Sequence, residues 1–331
     1  MLDLLRPVIV APMAGGPSTP ALVNAATASG ATGFLAAGYK SPEAVEDELR
    51  AVHGPYGLNI FVPGPPPPDV AALERYRSLL QTETDRYDVE LPPLRLHDDD
   101  HFAAKVDLAV TYAVPLVSFT FGVPDRTVVT ALPQAGSRVL ITVTNADEAA
   151  RALAAAPDAL IVQGGNAGGH SATTSPGSYR GDVSALDVLA TIRADIPLVA
   201  AGGTASAAAV ARFLDAGAIA VQCGTYFLLA DEAGTRPAQR DFMQSTRATG
   251  TIVTRAFTGQ PARALNNRFT STYTPTAPIG YPAVHHLTAP IRAAAARAGD
   301  PEALNLWAGT GFRAARPAPA ANLIAGLLPT E

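Results

Sequence analysis

The sequence is poor in cysteine and in charge. Among its 331 residues there is one cysteine, Cys223, which excludes an internal disulfide framework and any thiolate-rich zinc or iron–sulfur site. Charged residues make up 16% and sum to a formal charge of -5, so there is no basic footprint for nucleic acid or an anionic membrane surface. No apolar run approaches the ~20 residues of a membrane span. The start, MLDLLRPVIVAPMAGG, carries too short an apolar run and too little positive charge before it for a secretory signal. These absences lead us to expect a soluble, cytoplasmic protein whose partner is a small molecule, not nucleic acid or membrane. A homo-oligomer is compatible with them.

What is present is apolar, 48% of the chain, and rhythmically placed, enough to bury one large core. Eight short runs recur: Val8 to Met13, Thr32 to Ala37, Tyr56 to Val62, Pro115 to Phe121, Arg138 to Val143, Ala159 to Gly164, Pro197 to Gly203 and Ala218 to Gly224. Ala/Leu-rich helical patterns follow most of them, the signature of parallel βα units, and eight such units close a (β/α)8 TIM barrel. The expected organisation is a barrel over residues 1–230 with an excursion at about 64–100, a helical flap over the third strand's end. Residues 231–331 then read as a smaller, mainly helical second domain forming a substrate lid, its last stretch, Ala318 to Leu328, being a candidate for return to the barrel. A long Gly/Ser/Thr/Pro-rich loop, HSATTSPGSYRGD, follows the sixth strand, of a length usually reserved for function.

Barrel active sites lie at the carboxyl ends of the strands, and here those ends are polar or glycine-rich. The first ends in Pro12-Met13-Ala14-Gly15-Gly16, small enough for a flat ring to approach the backbone. The seventh ends in Gly202-Gly203-Thr204, before a helix starting near Ser206, and the eighth in Gln222-Cys223-Gly224-Thr225. The pair reads as a phosphate site of backbone amides and a helix N-terminus, although Thr204 or Ser206 serves equally as a helix cap. The sixth begins QGGNAGGH, Gln163 to His170, with Gly168 and Gly169 flexing the loop before a histidine whose ordinary titration is near neutral. Asn59 is a donor or acceptor for a ring at the third strand's end, or a turn residue, and Thr142 is a weaker candidate of the same kind.

Other clusters carry less. His97-Asp98-Asp99-Asp100-His101 resembles a metal site, but acids directly before a helical run are expected to cap it and face its dipole. His285 and His286 point different ways on a regular element and have no evident acidic partner, so we expect a structural or substrate-rim role. Cys223 is expected to behave as a small apolar residue.

With these residues in hand, the chain resembles the nitronate monooxygenases, formerly 2-nitropropane dioxygenases. The resemblance runs nearly end to end through APMAGGPSTPALVNAATASGATGFLAAGY, LNIFVPG, VSFTFGVP, QGGNAGGH, AAGGTAS, QCGTYFL, FTGQPARALNN and NLWAGTG. It implies a noncovalent FMN bound through Asn59, Gln163, Gly168, Gly203 and the run Gln222 to Thr225, with Met13 and Ala14 along the ring. The active-site histidine then falls on His170. VSFTFGVP and WAG look most like the class I branch, whose substrates include propionate 3-nitronate. The implied reaction oxidises a nitronate with O2 to a carbonyl compound and nitrite, His170 serving as hydrogen-bond partner or as base toward a neutral nitroalkane. Two positions depart from the family: Asn166, commonly acidic there, and Thr310, commonly Gln. The rival reading is an FMN-dependent enoyl-acyl carrier protein reductase or quinone reductase, which needs NAD(P)H; a flavin-binding barrel without catalysis is a third.

Overall fold

In a computed structural model, which describes residues 4–328, the eight apolar runs become eight parallel strands closed into one barrel. They are β1 (Val8–Val10), β2 (Thr32–Ala36), β3 (Tyr56–Phe61), β4 (Leu116–Thr120), β5 (Arg138–Val143), β6 (Ala159–Gln163), β8 (Leu198–Ala201) and β9 (Ala220–Cys223). Between β6 and β8 lies a two-residue strand, β7 (Gly169–His170), outside the barrel. Several runs end as strands sooner than their apolar character suggests. Pro12, Met13, Gly202 and Gly203 therefore fall in loops beyond the strand ends.

Side chains alternate across a strand, and the register sorts them into two populations. Parallel partners such as Ile9 and Gln222, Phe34 and Gly57, Asn59 and Ser118, or Gln163 and Ala201 lie at one level. Lower in the barrel interior these positions are apolar: Ile9, Phe34, Leu116, Leu140, Ile161 and Val199 form one buried cluster. Toward the carboxyl ends the same alternation brings in Asn59, Ser118, Thr120, Thr142, Gln163 and Gln222. Polar atoms are costly to bury without partners, so this upper layer marks where a ligand replaces packing.

The helices cover the outside. In chain order α1 (Pro20–Ala28) and α2 (Pro42–Ala51) follow β1 and β2, while α3 (Val70–Leu79), α4 (Gln81–Tyr87) and α5 (Phe102–Thr111) fill the connection from β3 to β4. Next come α6 (Arg126–Gln134), α7 (Ala146–Leu153), α8 (Ala185–Thr191) and α9 (Ala207–Asp215). Thr19, Ser41, Asn145, Ser184 and Ser206 each accept a backbone N–H in the first turn that follows, satisfying donors with no partner inside the helix. Ser206 is thus a helix cap.

Beyond the barrel run α10 (Pro237–Gln244), β10 (Thr251–Thr254), β11 (Ala262–Leu265), α11 (Arg268–Tyr273), α12 (Ala283–Arg297) and α13 (Ala320–Ala325). Alongside the expected helices, β10 and β11 join β7 in a small antiparallel sheet. A second core forms here from Phe242, Phe257, Phe269, Leu287 and Leu306, and it takes in Leu73, Tyr76 and Leu80 from the β3–β4 excursion. α13 goes back to the first core, where Leu323 and Ile324 join Leu22 and Val23 of α1.

The acidic run before α5 corrects an expectation. The residue at the cap position is His101, in the left-handed region with no side-chain cap bond. Asp98 and Asp99 still accept the N–H groups of Asp100 and His101, at 2.9 and 3.1 Å, and the run also reaches outward: Asp98 bonds His286 at 2.6 Å, so His286 does have an acidic partner. Asp100 accepts the Tyr39 N–H at 3.0 Å and pairs with the buried Lys105 ammonium at 2.8 Å.

One ring closes the floor of the barrel. A Cβ on Gly57 would stand 2.2 Å from the Phe34 ring, so Phe34 occupies the room that the glycine leaves. Phe34→Ala should lower unfolding stability by about 3–5 kcal/mol, the usual range for emptying such a site. Chemical denaturation checks this, and a loss under about 1 kcal/mol would contradict the packing described.

Candidate active site

A cavity opens at the carboxyl ends of the strands, with about 1380 Å³ of non-atom space counting the part open to solvent. It gathers the positions picked from sequence: Pro12, Met13, Ala14, Asn59, Thr142, Gln163, Gly168, Gly169, His170, Gly202, Gly203, Gln222, Cys223, Gly224 and Thr225 all line it. It also gathers residues that no motif assigned to chemistry, among them Tyr39, Arg236, Gln239, Asn305 and Trp307. No aspartate or glutamate is among its lining residues. The wall is thus neutral to positive, a setting for anions.

Backbone geometry prepares the strand ends for close approach. Gly202 and Gly203 have φ of 108° and 78°, in the left-handed half of dihedral space that favours glycine. Gly224 has φ of -107°, and an added Cβ would meet only ordinary contacts with Ala11 and Met13. Beside these loops the Thr204 hydroxyl and the Gln222 side-chain oxygen are buried without a hydrogen-bond partner. The hydroxyl of Tyr39, across the cavity, is a third; unpaired buried polar atoms are rare in native proteins, and three in one cavity point to a polar ligand that completes them. Thr225 is partly committed, since its hydroxyl accepts the Gly309 N–H at 2.8 Å. Burial pushes the Cys223 thiol up to about 12, opposed only in part by the neighbouring Thr204 hydroxyl, so it stays protonated and acts as apolar wall.

Asn59 and Gln163 do different work. The Asn59 amide nitrogen donates to Ser118 Oγ and Thr120 Oγ1, both at 2.9 Å, and its oxygen is the group left for a ligand. Gln163 is spent on its own loop: Nε2 donates to the His170 carbonyl at 3.0 Å and Oε1 accepts the Ala172 N–H at 2.7 Å. It clamps the histidine's backbone from both sides. The long loop beyond is fixed as well. Glu148 accepts from Thr173 Oγ1 and the Thr174 N–H, and Gln260 donates to the Ser171 and Thr173 carbonyls.

His170 sits in β7, paired with Ala262 of β11. Its ring lies among Phe121, Trp307, Tyr281 and Tyr39, at centroid distances of 5.6, 5.2, 6.2 and 6.3 Å. Nε2 is 2.9 Å from Thr258 Oγ1, a hydroxyl that also lies 3.3 Å from the Gln260 carbonyl. Burial, then the Arg292 charge, pushes the imidazole down to about 3. The near-neutral titration expected of it is therefore not found, and His170 is uncharged at neutral pH. Its polar ring partner is a hydroxyl, which can give or take a proton and so accommodates either neutral tautomer.

Tyr39 is held on three sides. Its backbone is left-handed, with φ of 70°, and its N–H is bound by Asp100. Its ring stacks on His285 at 4.2 Å and meets Phe61 edge-on at 5.5 Å. His285, whose carbonyl accepts from Arg292 at 2.7 Å, is thereby part of the packing behind the cavity. The two positions that depart from the family pattern touch each other: Thr310 N–H donates to the Asn166 carbonyl at 3.1 Å, and the Asn166 amide reaches Thr310 Oγ1 at 3.4 Å.

The family model described as nitronate monooxygenase matches residues 1–330. A probable nitronate monooxygenase of Staphylococcus aureus is 33% identical, the match covering 99% of this chain and 95% of the relative. The solved structure of a nitroalkane oxidase from Streptomyces ansochromogenes is similar at 43% identity and a TM-score of 0.93, over 98% of this chain and 96% of that one. FabK from Thermotoga maritima, at 22% identity and a TM-score of 0.74 over 98% of this chain and 93% of that one, shares the fold.

A histidine held neutral by burial leaves a mark on stability. Below its ordinary 6.5 and down to about 3, the unfolded chain takes up a proton that folded His170 refuses, so stability falls as pH falls. His170→Asn removes that contribution while leaving the similarly depressed His285 in place. The melting temperature of the unsubstituted protein, relative to this variant, should drop as pH goes from 7 to about 4.5. A difference that does not change with pH would contradict the assignment.

Proposed function

The chain belongs to the nitronate monooxygenase family, and on that footing we propose that it holds FMN and oxidises alkyl nitronates, propionate 3-nitronate among them, with O2. The products are a carbonyl compound and nitrite. The observation that carries the reading is the cavity itself, free of carboxylates at its wall and built around an uncharged His170.

The residues fit such a cofactor. Gly202, Gly203, Gly224 and the unpartnered Thr204 hydroxyl would hold the phosphate by backbone amides and one O–H. Gln222 Oε1 and the Asn59 oxygen would accept from the ring, against Met13 and Ala14. When bound, FMN supplies the electron acceptor that no side chain of this cavity can supply.

The protein's own part is to select and orient an anion. A nitronate has already lost its carbon proton, so it needs charge stabilisation and no base. An imidazole pushed down to about 3 is a poor base at neutral pH but a good neutral donor. The Thr258 hydroxyl can donate to Nε2, which leaves the other ring nitrogen its proton for a nitronate oxygen. The four aromatic rings around His170 exclude water and strengthen that hydrogen bond. Oxidation at the substrate carbon replaces C=N by C=O, and nitrogen leaves as nitrite.

Acid treatment of the purified yellow protein should release FMN, and oxygen uptake should start without lag on preformed nitronates. Freshly diluted neutral nitroalkane should be consumed only as fast as it ionises in solution. His170→Asn should keep its flavin and lose roughly 10–100-fold in kcat/KM on nitronate, the worth of one transition-state hydrogen bond. Immediate turnover of neutral nitroalkane, abolished in His170→Asn, would instead make His170 a base. Colourless protein that FMN cannot reconstitute would overturn the whole reading.

A further inference from the structure

Arg236 is the charged residue of the cavity wall that the chemistry above does not use. Other half-buried arginines beyond the barrel are fully employed in structure. Arg240 donates to the Leu228, Leu229 and Ala230 carbonyls, and Arg263 to the Gly165 and Gly181 carbonyls and to Thr251. Arg268 pairs with Glu83. Arg236 has five N–H donors and, among the described residues, one long bond, from Nη1 to Asn305 Oδ1 at 3.4 Å. It has no carboxylate partner among them.

Two further features make this charge costly to keep. Arg236 occupies the cap position of α10, with Pro237 next, so its positive charge stands at the positive end of the helix dipole. Partial burial also depresses its pKa, and a second cation, Arg292, lies close enough to be affected by it. An arginine maintained against desolvation, a helix dipole and a like charge, on the wall of a ligand cavity, is explained by an anion that arrives with the ligand.

The position points to the substrate. Gln239, one turn along α10, donates to the Trp307 carbonyl at 3.0 Å, and the Trp307 ring is 5.2 Å from that of His170. Arg236 and its partner Asn305 thus flank the segment that carries Trp307 to His170. The glycine loops at β8 and β9 provide their own donors for a cofactor phosphate. We infer that Arg236 is the specificity-determining residue that anchors the carboxylate of a nitronate such as propionate 3-nitronate, at the end away from the reacting carbon. The inference rests on the nitronate-oxidising reading.

The test compares two nitronates of equal chain length, propionate 3-nitronate and propyl 1-nitronate, with flavin-loaded protein. The unsubstituted enzyme should favour the carboxylated one. Arg236→Met should raise its KM roughly 10–100-fold, as for a lost charge-assisted bidentate contact, while changing that of propyl 1-nitronate little and leaving flavin content unchanged. Arg236→Lys, which keeps the charge without the planar fork, should recover part of the loss. Equal effects on both substrates would overturn the anchor, and so would loss of FMN, which would assign Arg236 to the cofactor phosphate. If neither nitronate is oxidised by the unsubstituted enzyme, the functional reading fails first and this inference with it.

Discussion

Two short backbone pairings, Gly169 with Arg263 and His170 with Ala262, hold the site together. They attach the loop after β6 to the small sheet of the second core, so His170 belongs to both halves of the structure at once. Gln163 fixes the same backbone from the barrel side. The barrel supplies glycine-lined strand ends, and the chain beyond the barrel supplies Thr258, Trp307 and Arg236. Neither half alone encloses the cavity. The bend that lets the loop turn out of the barrel is made at Gly169, with φ of 75°. Its neighbour Gly168 allows a close approach, since a Cβ there would lie 2.4 Å from the Gly309 nitrogen.

Burial then decides the chemistry. Desolvation keeps His170 uncharged and Cys223 protonated, and both effects disfavour acid–base work at neutral pH. The charge left at the wall is that of Arg236, backed at greater depth by Arg292. A cavity with positive potential and no carboxylate favours substrates that arrive as anions, which is the protonation state from which a nitronate gives up electrons.

Much of this was legible in the sequence, for identifiable reasons. Strand ends in a parallel barrel must carry the site, so Gly202-Gly203, Gln222 to Thr225 and the QGGNAGGH loop could be picked by position and residue type. The partners of those residues could not. Tyr39, Thr258, Arg236 and Trp307 come from segments far apart in the chain, and no local periodicity links them. Tyr39, Thr258 and Trp307 sit within LAAGY, FTGQPARALNN and NLWAGTG, strings that carried family likeness but no visible chemistry, and Arg236 lies outside every such string. The titration of His170 depends on the rings folded around it, and composition shows none of that. The run Asp98 to Asp100 was read only in part for the same reason: beside its local bonds, Asp98 and Asp100 make long-range ones with His286 and Tyr39. Gln163 shows the opposite limit, a cofactor candidate by position whose polar atoms are used to clamp its own loop.

Electron transfer from a nitronate anion to a flavin held in this cavity is the step we propose. Anaerobic mixing of the flavin-loaded protein with a preformed nitronate, followed by visible absorbance, tests it directly. On the proposed function the flavin band bleaches with nitronate, returns when O2 is admitted, and is left unchanged by NADPH. Rapid bleaching by NADPH with indifference to nitronate would contradict it and make the protein a nicotinamide-dependent reductase on the same fold.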